Sequence, residues 1–223
     1  MPELPRAYLF GGPHPWSQDD WTSSDDRVRG GSSYSTLVRS PTGQTAAFQG
    51  NLDIETLGGA GFASQRTTGE RCWDLSAYDG LELNIDEADS KLYTITLKNE
   101  ILPKRPDGRE QSSVSWEIDF RTPETGKVVV KWAGFKATYR GREMKNPPCL
   151  DLTNIKRMSI MMRSFFGTQH GDFSLRLVSI AAFRGNESKA LDNKGGPVVT
   201  ACEEVAGEPE SQDNLGTSCC VIL

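Results

Sequence analysis

Apolar and polar residues alternate with period two in four segments of the chain. Leu81, Leu83 and Ile85 alternate with Glu82, Asn84 and Asp86. Val114, Trp116, Ile118 and Phe120 alternate with Ser115, Glu117, Asp119 and Arg121. Val128, Val130 and Trp132 alternate with Lys127 and Lys131, and Phe173, Leu175 and Leu177 with Ser174 and Arg176. Side chains of an extended strand point alternately to opposite faces, so this spacing predicts half-buried antiparallel strands. Weaker strand patterns cover residues 33–39, 45–52, 62–66, 91–97, 136–139 and 158–163. Short strands separated by Gly and Pro, with no helical run of note, predict an all-β fold: an antiparallel β-sandwich or jelly roll.

The pattern sets the expected boundaries. Residues 16–183 form the sandwich. Residues 1–15 are expected as an N-terminal extension, because Pro2, Pro5, Gly11, Gly12, Pro13 and Pro15 interrupt them. Residues 184–223 are poor in large apolar side chains and are expected as a disordered acidic tail. Inside the sandwich, Trp73-Asp74-Leu75-Ser76 and the residues up to Leu83 echo Leu150-Asp151-Leu152-Thr153 and the residues up to Ile160. In both, an Asp and a hydroxyl two residues on can set a turn before an apolar strand.

Charge changes the picture only at the tail. Of the 30 acidic residues, Glu203, Glu204, Glu208, Glu210 and Asp213 lie beyond Gly195, where no Lys or Arg occurs. Subtracting these five leaves 25 acids against 25 Lys and Arg in residues 1–195, a balance that offers no overall basic footprint for nucleic acid. The five cysteines, Cys72, Cys149, Cys202, Cys219 and Cys220, have no framework spacing, which suits a reducing compartment. The N-terminus has neither a signal-peptide apolar core nor the Arg-rich pattern of a transit peptide, so a cytoplasmic location is expected.

Candidate chemistry is sparse. His14 and His170 have no partner at metal-ligand spacing. Gly58-Gly59-Ala60-Gly61 and Gly30-Gly31 lack the strand-then-helix context of a phosphate loop. Asp25 and Asp26 fit either a Ca²⁺-holding loop or ordinary surface charge. Trp16, Trp21, Trp73, Trp116 and Trp132 include candidates for sugar stacking, with Trp116 and Trp132 on the apolar phase and so expected in the core. No catalytic residue, metal or cofactor is expected. The strongest local motif is Cys220-Val221-Ile222-Leu223, a C-a-a-X box whose Leu favours geranylgeranylation. One lipid chain anchors only reversibly, and Cys219 is the candidate second site. This predicts a membrane-associated protein held by its C-terminal lipid.

Six stretches, in order, carry a family resemblance. They are Asp26-Arg27-Val28-Arg29-Gly30-Gly31-Ser32-Ser33, Phe48-Gln49-Gly50-Asn51-Leu52 and Gly59-Ala60-Gly61-Phe62-Ala63-Ser64. Then come Asp74-Leu75-Ser76-Ala77-Tyr78-Asp79-Gly80-Leu81, Phe135-Lys136-Ala137-Thr138-Tyr139-Arg140-Gly141-Arg142 and Phe173-Ser174-Leu175. From about Trp16 to Phe183 the chain resembles the complex I intermediate-associated protein 30 family. The resemblance implies a galactose-binding-domain-like jelly roll. It also implies a non-enzymatic, chaperone-like role in assembling mitochondrial NADH:ubiquinone oxidoreductase, with mitochondria as the alternative location. The expected partner-binding residues are Asp26, Arg27, Tyr139, Arg140 and Arg142, polar and aromatic positions that fall in turns; the alternative is that Asp26 and Arg140 pair internally and brace the loops. A glycan-binding module is the alternative function, distinguished by an exposed coplanar aromatic pair.

Overall fold

The computed structural model describes residues 6–185. The strands among them are β1 (Arg6–Gly11), β2 (Trp21–Ser23), β3 (Tyr34–Arg39), β4 (Ala46–Leu52), β5 (Phe62–Thr67), β6 (Gly80–Ala88) and β7 (Leu92–Lys98). They continue with β8 (Ser115–Arg121), β9 (Gly126–Lys131), β10 (Lys136–Tyr139), β11 (Arg142–Glu143), β12 (Arg157–Arg163) and β13 (Gly171–Phe183). Among the described residues, helix is confined to the 3-10 turns Gln18–Asp20, Asp26–Arg29 and Trp132–Gly134. Two antiparallel sheets result. One is ordered β3-β4-β13-β6-β9, with β1 also on β13; the other is β11-β10-β8-β7-β12-β5-β2. This is the all-β sandwich that the alternation predicts.

The alternating apolar residues meet between the sheets. Leu81, Leu83 and Ile85 of β6 and Phe173, Leu175 and Leu177 of β13 are buried against Tyr93, Ile95 and Leu97 of β7 and Met158, Ile160 and Met162 of β12. Phe48 joins Phe173 at a centroid distance of 5.0 Å and Tyr93 of the opposite sheet at 6.1 Å. Burying each such side chain contributes about 1.5–3 kcal/mol, which makes this layer the main source of stability. Burial also raises the Tyr93 phenol far above its ordinary range, with Asp89 adding to the shift. The Tyr93 hydroxyl donates to Asp89 Oδ1 at 2.8 Å.

Strand β13 organises its sheet. Its residues Gly171–Leu177 pair with β4, Ser179–Phe183 continue along the same edge to pair with β1, and β6 lies on the other edge. A register shift between Leu177 and Ser179 resets the alternation, so Ile180 and Ala182 take over the inward phase. The sandwich therefore includes Arg6–Gly11, ahead of the expected boundary at residue 16. Phe10 explains why β1 docks: its ring lies 4.7 Å from Trp21, 5.8 Å from Trp73 and 5.9 Å from Trp16. On the outer side, Arg6 forms a two-pronged ion pair with Glu82, both bonds 2.9 Å, reaching over β13.

The internal echo is a structural pair. Asp74 Oδ1 accepts from the Ser76 amide and hydroxyl at 3.0 and 2.6 Å, and Asp151 Oδ1 accepts from Thr153 at the same two distances. The two turns face each other: the Leu75 amide donates to the Leu152 carbonyl at 2.7 Å, and Trp73 pairs with Ile155. One turn feeds β6 and the other β12, so the pair links the two sheets at their entry. Trp116 is buried as expected, but Trp132 has left the strand. It opens a 3-10 turn, half-buried, with its indole N–H on the Tyr78 carbonyl at 2.6 Å.

Candidate functional site

Strand register fixes which side chains share the outer face of the seven-stranded sheet, since directly opposed residues point the same way. Met161 opposes Ser64 and Thr94, and Thr94 opposes Asp119. The next row runs Arg66, Ser159, Thr96, Glu117 and Lys136, and beyond it Arg157 opposes Lys98. This face is polar, yet Ser64, Thr94, Thr96, Ser159 and Arg157 are buried. Two clefts, of about 970 and 690 Å³, lie on this side of the sheet and share Arg29 at their border.

The wall carrying Arg29 is built by its own sequence motif. Asp26 is fully buried; its carboxylate accepts from the Ser33 amide at 3.1 Å, the Ser33 hydroxyl at 2.7 Å and the Phe62 amide at 3.1 Å. Asp25 accepts from the Ser35 hydroxyl and amide at 2.7 and 3.2 Å and from the Ser64 amide at 2.9 Å. Ser33 and Ser35 belong to the β3 side and Phe62 and Ser64 to β5, so two carboxylates clip one sheet to the other. Gly30 ends the turn in a left-handed conformation (φ 83°), and a Cβ on Gly31 would lie 2.3 Å from the Asp26 carboxyl carbon. Asp-Asp-Arg-Val-Arg-Gly-Gly-Ser-Ser is thus an anchored loop whose acids point inward and whose arginines border the clefts. Two expectations are corrected. Asp26 is a brace, inaccessible to a partner, and Asp25 and Asp26 are neither surface charge nor a Ca²⁺ loop. Among the described residues no cluster of three or more His, Cys, Asp or Glu is placed to hold a metal.

The larger cleft is basic. Arg66 and Lys98 come from its floor strands, Arg27 and Arg29 from the anchored turn, Lys104, Arg105 and Arg109 from the β7–β8 loop, and Arg140 from the β10–β11 hairpin. Only Asp25 and Glu110 line it as acids. Glu110 binds Arg66 at 3.0 Å and Arg157 at 2.8 Å, while Lys98 donates to the Ser113 hydroxyl at 3.1 Å. Burial, then the neighbouring Arg157 charge, lowers both Lys98 and Arg66 below their ordinary pKa values. Glu110 is thereby surrounded by three cations, with Glu117 also acting on Lys98.

The smaller cleft is mixed. Phe62, Ile118 and Met161 provide apolar walls. Arg163 donates to Glu117 at 2.9 Å and Asp119 at 2.6 Å and lies over the Phe165 ring at 4.7 Å. Phe165 (φ 45°) and Phe166 (φ 58°) are both left-handed, and the Phe166 side chain is wholly exposed. Holding a residue with a Cβ in that region costs about 1–2 kcal/mol.

The expected partner residues other than Asp26 converge near these clefts. Arg27 and Arg140 line the basic one. Arg140 (φ 52°) and Gly141 (φ 74°) form the two-residue tip of the β10–β11 hairpin, the left-handed pair that matches strand twist. Tyr139 and Arg142 are exposed and face each other across it, and the Arg140 guanidinium lies 5.4 Å from the Tyr139 ring centroid. Arg29, Arg66, Lys98, Arg105 and Phe166 were missed. Their positions are separated along the chain, and only the juxtaposition of Phe165 and Phe166 with a following glycine gave any local signal. Cys219 and Cys220 lie outside the described residues. Among those described, no helix is long and apolar enough to cross a membrane.

The sandwich is similar to the family 11 carbohydrate-binding module of a cellulosomal cellulase of Clostridium thermocellum. That match has a TM-score of 0.52 at 13% identity and covers 84% of this chain and 100% of the module. At that identity the likeness is one of fold alone. An uncharacterized protein of Schizosaccharomyces pombe is 45% identical over 186 residues, covering 80% of this chain and 84% of the relative. The family model of complex I intermediate-associated protein 30 matches residues 8–177, from β1 into β13, which spans both sheets, the anchored turn and the two clefts: the chain belongs to that family.

Proposed function

We propose that this chain is a non-enzymatic binding protein that holds a protein partner during assembly of a larger complex. The partner seats on the mixed cleft and the adjoining rim, contacting Phe166, Tyr139, Arg140 and Arg142, with Arg27 beside them. The observation that carries this reading is Phe166, an exposed ring held in a strained conformation beside apolar walls and arginines. Aromatic and Arg anchors dominate protein interfaces, and backbone strain collects where a surface is used. Family membership connects the role to the assembly of NADH:ubiquinone oxidoreductase. A glycan platform is the weaker alternative, because Arg140 lies near the Tyr139 ring and Arg163 over Phe165, where a sugar would need free ring faces.

The test uses the intact chain as bait, beside Phe166→Ala and an Arg140→Ala, Arg142→Ala double variant. We expect each to recover at least about tenfold less partner, equivalent to ~1.4 kcal/mol, with unchanged melting temperature. Native gels of cells lacking the chain should show stalled oxidoreductase intermediates. Unfolding of the double variant without a separable loss of partner would instead make the hairpin purely structural. Retention on immobilised glycans in place of a protein would favour the alternative. In the same reading Cys220, with Cys219 as a second site, tethers the chain to a membrane, and intact mass from native cells should carry a prenyl increment.

A further inference from the structure

The basic cleft carries more positive charge than the fold uses. At its floor, Arg66 and Lys98 line the cleft with Glu110, a carboxylate that also pairs with the buried Arg157 beside Lys98. Excess positive charge in a partly buried setting is costly to the free protein and is relieved by an anion. Above the floor, Arg27, Arg105 and Arg140 line the same 970 Å³ space, a volume within the range of about 300–1,000 Å³ that small-molecule sites occupy. Several guanidinium forks around one cavity match the geometry of phosphate oxygens, which they bind in pairs. The Asp25 carboxylate, the other acid among the described lining residues, accepts three hydrogen bonds from Ser35 and Ser64, and with Glu110 it leaves two acids against eight Lys and Arg around the cleft.

We propose that this cleft binds a compact polyanion carrying at least two phosphate groups, with Arg66 and Lys98 at the floor and Arg27, Arg105 and Arg140 around the mouth. The ligand is either a soluble polyphosphorylated molecule or the headgroup of a polyphosphorylated lipid; both present the same clustered phosphates. The site adjoins the surface assigned to the protein partner and shares Arg27 and Arg140 with it, whereas Arg66, Lys98 and Arg105 belong to the basic cleft alone.

Calorimetric titration of the full chain with tripolyphosphate and with inositol hexakisphosphate tests the proposal. We expect binding that weakens at least tenfold in Lys98→Met and in the exposed-loop variant Arg105→Ser. Lys136→Met, in the other cleft, should bind like the unaltered protein. Melting temperatures identify any variant that fails to fold, and Arg105→Ser keeps the test open if Lys98→Met is lost. Retention on vesicles containing phosphatidylinositol bisphosphate, displaced by inositol hexakisphosphate, would place the ligand on a lipid surface. Binding of the soluble probes without vesicle retention would place it in solution. No binding of either probe at 1 mM, equal binding by Lys98→Met and Arg105→Ser, or a preference for a Glu-rich peptide or an oligonucleotide would overturn it. Because Phe166→Ala reads the partner while Lys98→Met and Arg105→Ser read the polyanion, and none of these alters the shared Arg27 or Arg140, either proposal can fail while the other stands.

Discussion

At the residue scale, the family's opening motif is best understood through Asp26. A carboxylate with no exposure is tolerable because three donors converge on it and because Gly31 leaves it room. Asp26→Asn keeps the shape but turns an NH₂ group toward an N–H or O–H donor. Hydrogen bonds to a charged group are worth about 1.5–3 kcal/mol each, and one unsatisfied buried donor costs about 1–3 kcal/mol, so we expect a loss of roughly 2–4 kcal/mol in urea denaturation. A loss under about 0.5 kcal/mol would mean that the clip is not holding the sheets. The same residue shows the limit of sequence reading. Its type and its place in a turn suggested exposure, because turns are usually wet; the serines and amides that bury it arrive from β3 and β5, and nothing local announces them.

At the element scale, the strands that were legible are those whose two faces see different surroundings. β6, β8 and β9 alternate because one side meets the core and the other does not. β1 was missed because Pro5, Gly12 and Pro13 flank only six strand residues, themselves ending in Gly11, too few for the period to stand out. What holds it is partly electrostatic. Burial alone would raise the Glu82 pKa, but hydrogen bonds from Arg6 and Lys127 outweigh that and lower it below its ordinary value of about 4.5. A carboxylate whose folded pKa is depressed contributes stability above its unfolded pKa, and that contribution is lost as pH falls through the folded value. Glu82→Gln should therefore be less stable than the unaltered protein at pH 7 and at pH 5. The gap should narrow as pH falls below about 4.5, and chemical denaturation at pH 7, 5, 4 and 3 reads it directly. A gap constant down to pH 3 would assign the loss to packing instead.

At the scale of the whole molecule, a chain neutral over residues 1–195 carries a cleft in which eight Lys and Arg face two acids. Composition averages over the surface, whereas a ligand meets only what the fold gathers; the cleft draws on five separate segments that no window along the chain contains together. The sheet order bears on the molecule as a whole too. Ending the chain after Leu177 deletes the part of β13 that pairs with β1 and with the first half of β6. We expect such a protein to lack cooperative thermal unfolding, whereas ending it after Gly185 should preserve it. A sharp transition in the shorter protein would show that β1 and β6 can find another arrangement.

Because β13 is the last described strand to be synthesised and also the one that β1, β4 and β6 all require, the six-stranded sheet has no centre until translation has nearly reached residue 183. Until then its earlier strands leave the ribosome with open hydrogen-bonding edges and uncovered Phe10, Phe48 and Leu83. Topologies dominated by such distant pairings fold slowly and expose aggregation-prone surface while they wait. A chain of this architecture is a demanding client for chaperones during its own birth.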